Sequence, residues 1–518
     1  MTVTASVYDE ERARVTASMY NNNGTLVSGP FTLNSAEASP PLQLSAGVNK
    51  IKVVVTAEDG ASKTYEIAVT RAAVSNPGSS YSGPYVSSNP TDNHTVPLTI
   101  HIDGKAFDQI AKAASSRKDD RTTITVNVVS NPLMEKLAQA KDNASVVIPV
   151  TSSSDNVILT ITGDIVKALE NKQAVLEVRT PHGSYRLPAA EIQIDSLSKR
   201  LGESVKPSDI SVQINIAKSS PEIMKLLENM TDQERFTVIV PPIDFNVTAL
   251  LGDKKVILDK FNKFVTREIP LPDNMDPSRM TTAVVLEADG ILRHVPTSME
   301  SRDGKHYAVI RSLTNSTYAI IENSIAFLDM KGHWAKEAVN DLGARKVIDG
   351  VDPLHYRPNE AITRAEFAAI IVRALGLADD GSQAGFTDVK SGDWYNGAMA
   401  KAYEYGIIAG YEDGAFRPAK TITRQEAITV IARAMKLAGL GTDISASGAD
   451  AVLAKFSDSA AIGTWAREPV AAAVKHGIVA GSYSRILPAD TLTRAEAARI
   501  VQQLLVKSKL IDNVKPSR

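Results

Sequence analysis

An arginine recurs inside one short string at three places in this chain. The strings are ITRAE, ITRQE and LTRAE, and their arginines are Arg364, Arg424 and Arg494. A guanidinium offers a planar fork of donors that suits a carboxylate or a phosphate. Free N–H groups at a helix N-terminus would add to such a site. The strings therefore predict three anion-binding positions. The alternative for each arginine is an ion pair with a neighbouring carboxylate, or simple solvation.

The residues that flank each arginine predict how it is positioned. Thr followed three residues later by Glu, just before an apolar run, is a capping box that starts a helix. An arginine in the first turn of that helix opposes the helix dipole by a few tenths of a kcal/mol, so its repetition in three copies indicates a role beyond helix formation. The predicted caps and their partners are Thr363, Thr423, Thr493, Glu366, Glu426 and Glu496.

The three tryptophans of the chain recur with the same spacing. Trp334, Trp394 and Trp465 close the strings FLDMKGHW, FTDVKSGDW and FSDSAAIGTW. Core packing is the commoner role of a single Trp, whereas an accessible indole forms a flat wall for a sugar ring. One Trp and one Arg in every copy would suit an anionic sugar. Each copy also has an aspartate in its opening string and a structural glycine that ends VIDG, IIAG or IVAG, namely Asp329, Asp388, Asp458, Gly350, Gly410 and Gly481.

These markers recur in one order at intervals of about 60 and 70 residues, which defines a repeat that stacks on its own copies. The repeats resemble S-layer homology domains, the wall-anchoring modules of bacterial surface proteins. The resemblance covers about 326–378, 385–438 and 455–510, within a module that spans 326–518. It implies an α-helical module with pseudo-threefold symmetry, whose grooves between repeats bind secondary cell-wall polymer.

The resemblance also implies roles for the recurring residues. In the family the ligand is often a pyruvylated N-acetylmannosamine, and the arginine of the motif meets its carboxylate, which implies this role for Arg364, Arg424 and Arg494. The opening aspartates and the tryptophans would lie around the sugar. The copies are unequal, since the third has GSYSRILP, with Leu487 where the other two have arginine. The third groove, or the groove that uses this loop, is therefore expected to bind weakly or to serve structure alone.

The start of the chain, residues 1–71, predicts an all-β sandwich. The runs VTASMY, GVNKIKVVV and KTYEIAVTR have a period of two and are separated by turn-forming strings. The pattern from Gly47 to Arg71 resembles a cadherin-like β-sandwich, which implies a spacer or display module without the calcium sites of true cadherins. The module is expected to be truncated at its start. Residues 72–93 are rich in Ser, Pro, Gly and Asn and predict a linker.

Residues 94–325 predict an α+β region of unassigned role. Strand-like runs such as TTITVNVV and NVILTIT alternate with the helical runs AFDQIAKAASS, LMEKLAQAK, DIVKALENK and EIMKLLENM. Two subdomains divided near 202–208 are expected. The whole chain is therefore predicted to be multidomain, with an all-β sandwich, an α+β region and a helical module of three repeats.

Composition excludes several kinds of site. The chain has no cysteine, which removes disulfides, thiol nucleophiles and thiolate metal sites. A net charge of −2 gives no general attraction to nucleic acid or to an anionic membrane. No apolar run reaches the ~18 residues of a transmembrane helix, and no metal or cofactor site is predicted. The chain opens inside a strand-like pattern, so an export signal is expected upstream, and the protein is expected in the cell wall or surface layer of a Gram-positive cell.

Two classes of function stay open at this point. The favoured one is a non-catalytic surface or S-layer-type protein that the repeats hold on wall polysaccharide or a peptidoglycan-linked polymer, with self-association in a surface layer. The alternative is a wall-anchored glycoside hydrolase or peptidase whose catalytic part is 94–325 or lies upstream. No H-E-x-x-H, G-x-S-x-G or Walker A string occurs, but paired carboxylates need no fixed sequence spacing and remain open.

Overall fold

The structure is a computed structural model that describes most of the chain. The described residues are 13–20, 25–33, 47–57, 61–71, 96–118, 120–202, 204–234, 236–287 and 291–513. The chain divides into two compact units, Met1–Asn89 and Pro90–Arg518. The predicted linker, 72–93, lies outside the described residues.

The first unit contains an antiparallel sheet. Its strands are β1 (Ala13–Tyr20), β2 (Leu26–Leu33), β3 (Gly47–Ala57) and β4 (Ser62–Arg71). They lie in the order β2-β1-β3-β4. Alternate residues of the two central strands, such as Val15, Ala17 and Ile51, are buried on one face, as a period of two requires. The three runs that the sequence predicts as strands are strands.

The second unit begins with one sheet, which has sixteen strands among the residues that the structure describes. Its strands are β5 (Val96–Ile102), β6 (Lys105–Lys118), β7 (Arg121–Val128), β8 (Ser145–Pro149), β9 (Asn156–Thr162), β10 (Val175–Thr180), β11 (Gly183–Pro188), β12 (Ser211–Lys218), β13 (Thr237–Leu251), β14 (Lys254–Leu258), β15 (Lys260–Pro270), β16 (Thr282–Leu286), β17 (Leu292–Val295), β18 (Thr297–Arg302), β19 (Lys305–Thr314) and β20 (Thr317–Glu322). The spatial order is β17-β16-β20-β13-β12-β9-β7-β6-β5-β8-β10-β11-β15-β19-β18, and β14 pairs with β13.

This sheet joins both halves of the region. β12 pairs with β9 and β15 pairs with β11, so strands from either side of 202–208 are neighbours. The sheet is therefore continuous across 202–208, where the sequence predicted a division, because cross-strand hydrogen bonds link segments that are distant in the chain. β17 and β18 stand at the two ends of the order, but they are consecutive in the chain and only Pro296 separates them. The two ends of the sheet therefore lie next to each other.

One predicted helix of this region is wrong. The run AFDQIAKAASS lies within β6, which pairs with β5 on one side and with β7 on the other. Hydrogen bonds along both edges satisfy its backbone, and this tertiary pairing overrides the helix-forming residues. The other three helical runs form helices. The helices of the region are α1 (Ser130–Gln139), α2 (Gly163–Asn171), α3 (Ile194–Leu201) and α4 (Pro221–Glu234).

The C-terminal third is helical, as predicted. Its helices are α5 (Lys336–Ala344), α6 (Arg364–Ala374), α7 (Asn396–Glu404), α8 (Arg424–Leu437), α9 (Ala446–Leu453), α10 (Arg467–Lys475) and α11 (Arg494–Lys507). Each repeat supplies a short helix, which is α5, α7 or α10, and a longer one that begins at the arginine of the motif. The helix α9 is an addition between the second and third repeats. No helix in the described ranges is long and apolar enough to cross a membrane.

The three repeats close a ring. The Ile362 N–H donates to the Leu492 carbonyl at 2.9 Å, the Leu492 N–H to Ile422 at 3.0 Å, and the Ile422 N–H to Ile362 at 3.1 Å. The longer helix of each repeat packs on the short helix of the next, α6 on α7, α8 on α10 and α11 on α5. The last repeat therefore contacts the first, and residues of different repeats meet at every junction.

The repeats and the sheet lie in the same unit. The apolar core of the repeats includes Leu313 and packs against Phe264, both from the sheet region. At the same boundary Asp380 pairs with Lys260 and with Lys401, whose Nζ is 2.6 Å from the Asp380 carboxylate. These two donors hold the pKa of Asp380 well below its usual range. The sheet region and the repeats thus share apolar and charged contacts. Binding experiments on the repeats therefore use the full chain.

Candidate functional site

Each predicted capping box is present. The Thr363 hydroxyl accepts from the Glu366 N–H at 3.2 Å, and the Glu366 carboxylate accepts from the Thr363 N–H at 2.8 Å. The boxes at Thr423 and Thr493 have the same bonds. A cap of this kind stabilises a helix by about 1 kcal/mol. The helices α6, α8 and α11 therefore begin at a fixed position, and the first residue of each is the arginine.

The arginines join each repeat to the next. Arg364 Nε donates to the carbonyl of Phe416, in the second repeat, at 2.9 Å. Arg424 and Arg494 make the same bond to the repeat that follows them in the ring, at 2.8 and 2.9 Å. An aromatic ring also lies 4.5 Å from the Arg364 guanidinium and 4.6 Å from that of Arg494. These bonds explain why an arginine occupies a helix position that disfavours a cation.

A carboxylate of the next capping box faces each arginine. The distance is 3.5 Å to Arg364 Nη1 and to Arg494 Nη1, but 2.6 Å to Arg424 Nη1. Arg494 also donates through Nη2 to the Asp349 carbonyl at 2.9 Å. Pairing with a neighbouring carboxylate, the alternative that the sequence raises, thus occurs at all three junctions. Arg364 keeps the greatest capacity to bind a further acceptor.

The opening aspartates fix the loop before each arginine string. Asp388 accepts from the Phe416 N–H at 2.8 Å and from the Arg417 N–H at 2.7 Å. Asp329 and Asp458 hold the equivalent loops. Burial raises the pKa of Asp329 and of Asp458, but the backbone donors outweigh burial and lower the pKa overall. Both oxygens of each carboxylate are engaged within the repeat, and this geometry gives the aspartates a structural role.

The recurring glycines are required by the phenylalanine that opens each repeat. A Cβ on Gly410 would lie 2.9 Å from Cε1 of Phe386, closer than such atoms approach in proteins. Gly350 and Gly481 approach their own opening phenylalanines in the same way, at 2.7 and 2.6 Å. The absence of a side chain therefore lets the loop cross the aromatic ring, as the structural role predicted for these glycines requires.

The tryptophans are exposed. The exposed fractions of Trp334, Trp394 and Trp465 are 63%, 67% and 56%. The turn that carries Trp465 is held on α8, because the Gly463 N–H donates to the Gln425 side chain at 2.9 Å. Core packing, the commoner role of a single Trp, therefore does not describe these residues. The indoles of Trp334 and Trp465 line surface pockets.

One pocket, which we call groove A, lies at the junction of the first and second repeats. Its volume is about 260 Å³, and its walls include Arg364, Tyr411, Glu426 and Arg433, together with Trp465 of the third repeat. The Arg364 guanidinium lies 4.8 Å from the centre of the Tyr411 ring. Burial lowers the pKa of Arg433, and no carboxylate in the described part of the chain pairs with it. Groove A therefore contains a cation that nothing in these ranges neutralises.

The equivalent pocket at the junction of the second and third repeats is groove B. Its volume is about 500 Å³, and it is lined by Arg424, Glu496 and Arg499, together with Trp334 of the first repeat. Gln503 takes the helix position that Arg433 has in groove A. Arg499, one turn earlier, donates to a neighbouring glutamine at 3.1 Å. Groove B thus has a larger volume than groove A, but its motif arginine is closer to the carboxylate that it pairs with.

The third junction, between the third and first repeats, contains an ion pair where groove A has a free cation. Asp349 pairs with Arg373, which has the helix position of Arg433. The other two copies have alanine in place of Asp349. The ion pair was not predicted, although the string VIDG beside IIAG and IVAG carries the signal for it. Within the described ranges no group of three His, Asp or Glu side chains is placed to hold a metal ion.

Two parts of the chain match known domain families. The S-layer homology domain profile matches residues 326–368, 385–428 and 455–498. The chain carries three S-layer homology domains. Each matched range includes the opening aspartate, the glycine and the capped arginine of one repeat. A cadherin-like beta sandwich domain matches residues 1–72, so this second resemblance is also confirmed.

Several similar proteins share the S-layer homology region. An amylopullulanase of Thermoanaerobacterium thermosulfurigenes is 41% identical over 194 residues, which are 37% of this chain and 10% of the relative. The exoglucanase XynX of Acetivibrio thermocellus is 37% identical over 198 residues, 38% of this chain and 18% of the relative. The surface-layer 125 kDa protein of Lysinibacillus sphaericus is 34% identical over 185 residues, 35% of this chain and 14% of the relative. The aligned part of the chain therefore spans only a small share of each relative's length.

S-layer homology domains are modules that anchor proteins to the cell wall, and they place this chain at the cell surface. The relatives that carry them include both surface-layer proteins and enzymes. The matches to the enzymes cover only the part with the S-layer homology domains. The likeness to these enzymes therefore does not extend to the sheet region 96–322.

Proposed function

We propose that the S-layer homology domains bind secondary cell-wall polysaccharide through groove A and, more weakly, through groove B. The observation that carries this proposal is the unneutralised Arg433, in a pocket that also contains Arg364 and the exposed indole of Trp465. Guanidinium groups suit a carboxylate, and an indole suits a sugar ring. A polymer that carries a ketal carboxylate, such as pyruvylated N-acetylmannosamine, has both features.

In this proposal the anchor has pseudo-threefold symmetry. Support comes from the ring of backbone bonds through Ile362, Ile422 and Leu492, and from the equivalent Nε bond that each motif arginine makes to the next repeat. Such symmetry presents similar grooves around one axis. A polymer strand that occupies two grooves gains avidity by a factor of about 10²–10⁴ without any new kind of contact.

The grooves are not equal binding sites in this proposal. Groove A offers the Nη groups of Arg364 together with Arg433, whereas in groove B the short ion pair with Glu496 occupies Arg424. At the third junction, Asp349 already supplies the carboxylate that a ligand would bring to Arg373. We therefore expect the third junction to serve structure alone. Groove B, which uses the loop GSYSRILP of the third repeat, is expected to bind with lower affinity than groove A.

The remainder of the chain would be the part that the anchor displays. The cadherin-like domain and the sheet region would act as spacer or lattice parts of a surface-layer protein, with contacts between copies of the chain. An anchored glycoside hydrolase or peptidase is the competing proposal. Its support is the presence of enzymes among the relatives, and that support ends at the S-layer homology region.

The test of anchoring uses the full chain and purified Gram-positive cell walls, before and after extraction of their secondary polymers. We expect binding to untreated walls and its loss after extraction. Arg433→Ala should weaken binding about ten- to a hundredfold, because one charge-assisted hydrogen bond contributes about 1.5–3 kcal/mol. The affinity is measured by sedimentation of walls with bound protein over a range of protein concentrations.

Arg373→Ala is the matched control, since it removes a guanidinium from the same helix position at the closed junction. Its affinity for walls should stay within about twofold of the wild-type value. Binding that survives extraction would redirect the proposal from the secondary polymer to peptidoglycan. Equal affinities of Arg433→Ala and wild type would exclude groove A as the principal site.

A further inference from the structure

An insertion extends one side of groove A. The segment between the longer helix of a repeat and the next opening phenylalanine is 375–385 after α6 but the longer 438–455 after α8, and the addition contains α9. The insertion is well packed, because Ala449 and Leu453 are buried in the core of the repeats. Ser445 caps α9, and Arg467 Nη2 lies 2.5 Å from an Asp450 oxygen. The insertion is therefore held in a fixed position beside groove A, and its residues 442–445 form one wall of a second pocket.

This wall forms a second depression, which we call the side cleft. Its volume is about 680 Å³, within the range of about 300–1,000 Å³ that is usual for small-molecule sites. Groove A and the side cleft share three residues, Thr429, Arg433 and Trp465. The indole and the free guanidinium thus line both spaces, and the two spaces adjoin at these residues.

The chemistry of the side cleft differs from that of groove A. Lys436, Asp443 and Glu468 line it together with Arg433. None of these four side chains has an ion pair or a hydrogen bond to another residue that the structure describes. In the loop of the second repeat, by contrast, Arg417 and Asp413 pair with each other at 3.0 Å. The side cleft therefore presents unpaired donors and acceptors of both signs around one space.

We propose that the side cleft binds the sugar residue that is covalently linked to the one in groove A. This inference rests on the proposed function of groove A. A neutral or N-acetylated sugar has hydroxyl groups that can donate to Asp443 and Glu468, and oxygen atoms that can accept from Lys436 and Arg433. Trp465 would contact both sugars across the glycosidic bond. The wall polymer is then recognised as a chain of at least two residues at this junction.

The experiment is a calorimetric titration of the full chain with two kinds of probe. One is the methyl glycoside of pyruvylated N-acetylmannosamine. The other is a pair of disaccharides that extend this sugar by one N-acetylhexosamine, at one end or at the other. We expect one of the two disaccharides to bind at least about tenfold more tightly than the monosaccharide, since the extension adds hydrogen bonds to charged groups.

The double variant K436A/D443A should lose this gain while its affinity for the monosaccharide stays within about twofold of the wild-type value, because both residues lie outside groove A. Lys475→Ala, on the exposed side of α10, is the matched control and should keep the gain. Equal affinity for all three sugars, or a gain that the double variant retains, would overturn the side cleft and leave groove A intact. If the monosaccharide fails to bind, the function proposed for groove A is contradicted. The proposal for the side cleft is then contradicted as well, because it depends on groove A.

Discussion

The first and third junctions of the anchor share one framework and differ in one pocket. At both, the motif arginine donates through Nε to the next repeat at 2.9 Å and faces a capping-box carboxylate at 3.5 Å. The first junction has an alanine, Ala409, and a free Arg433 in its pocket. The third has Asp349 paired with Arg373 at the equivalent positions.

The comparison separates residues that recur in every repeat from residues that differ between the repeats. Of the residues that recur in all three copies, Thr, Glu, Gly and Asp fix the fold inside each repeat. The recurring Arg bonds each repeat to the next and faces the Glu of that repeat's capping box. The residues that vary between the copies decide whether a cation in the pocket is already neutralised. Recurrence therefore marks the framework here, while the capacity of a groove for an anion depends on positions outside the motif.

The largest expected effect comes from breaking the framework. Asp458→Ala should lower the free energy of unfolding of the repeats by about 2–4 kcal/mol, because it leaves two backbone N–H groups without their charged acceptor. Unfolding in denaturant is followed by tryptophan fluorescence, which reports the repeats since all three Trp residues lie there. Asp458→Asn keeps an acceptor and should cost less.

The same variant gives a pH dependence of known sign. The Asp458 carboxylate has a lowered pKa in the folded protein, so its contribution is present above the ordinary Asp pKa of about 4 and is lost as pH falls through the folded pKa. The difference between wild type and Asp458→Ala should therefore shrink below about pH 4. A variant that stays as stable as wild type at neutral pH but loses wall binding would instead make Asp458 a ligand contact.

A smaller effect is expected from giving the first junction the pocket of the third. Ala409→Asp places a carboxylate where Asp349 stands and should pair it with Arg433. Affinity for cell walls should fall about tenfold, since the ligand must then compete with an internal carboxylate. Sedimentation with walls measures the affinity, and Ala409→Asn is the isosteric control without charge. Unchanged binding of Ala409→Asp would contradict the role given to Arg433.

The smallest effect is expected from the reverse change. Asp349→Ala frees Arg373 at the third junction and should raise affinity for walls about two- to threefold, because one more groove adds to the others on the same wall. The gain is modest since Arg494 remains bonded to the backbone at position 349. Combining Asp349→Ala with Arg373→Ala should abolish the gain. A loss of affinity in Asp349→Ala would show that the ion pair itself supports binding.

The sequence by itself determined the repeated framework. Capping boxes at Thr363, Thr423 and Thr493 follow from local chemistry, because the Thr and Glu that bond each other are three residues apart. Three strands described in the first unit, β1, β3 and β4, follow in the same way from a period of two, whereas β2 was not predicted. The prediction of a β domain, a mixed region and a helical module used only such local patterns, and the structure places the last two in one compact unit.

Tertiary structure alone decided the rest, because the partners are distant in the chain. The sequence of β6 is typical of a helix, but the segment forms a strand because β5 and β7 hydrogen-bond to its two edges. The motif arginine serves the framework through carbonyls some 50 to 140 residues away. Which cation stays free in a pocket depends on a carboxylate that is near it only after folding, and no spacing in the sequence encodes that distance.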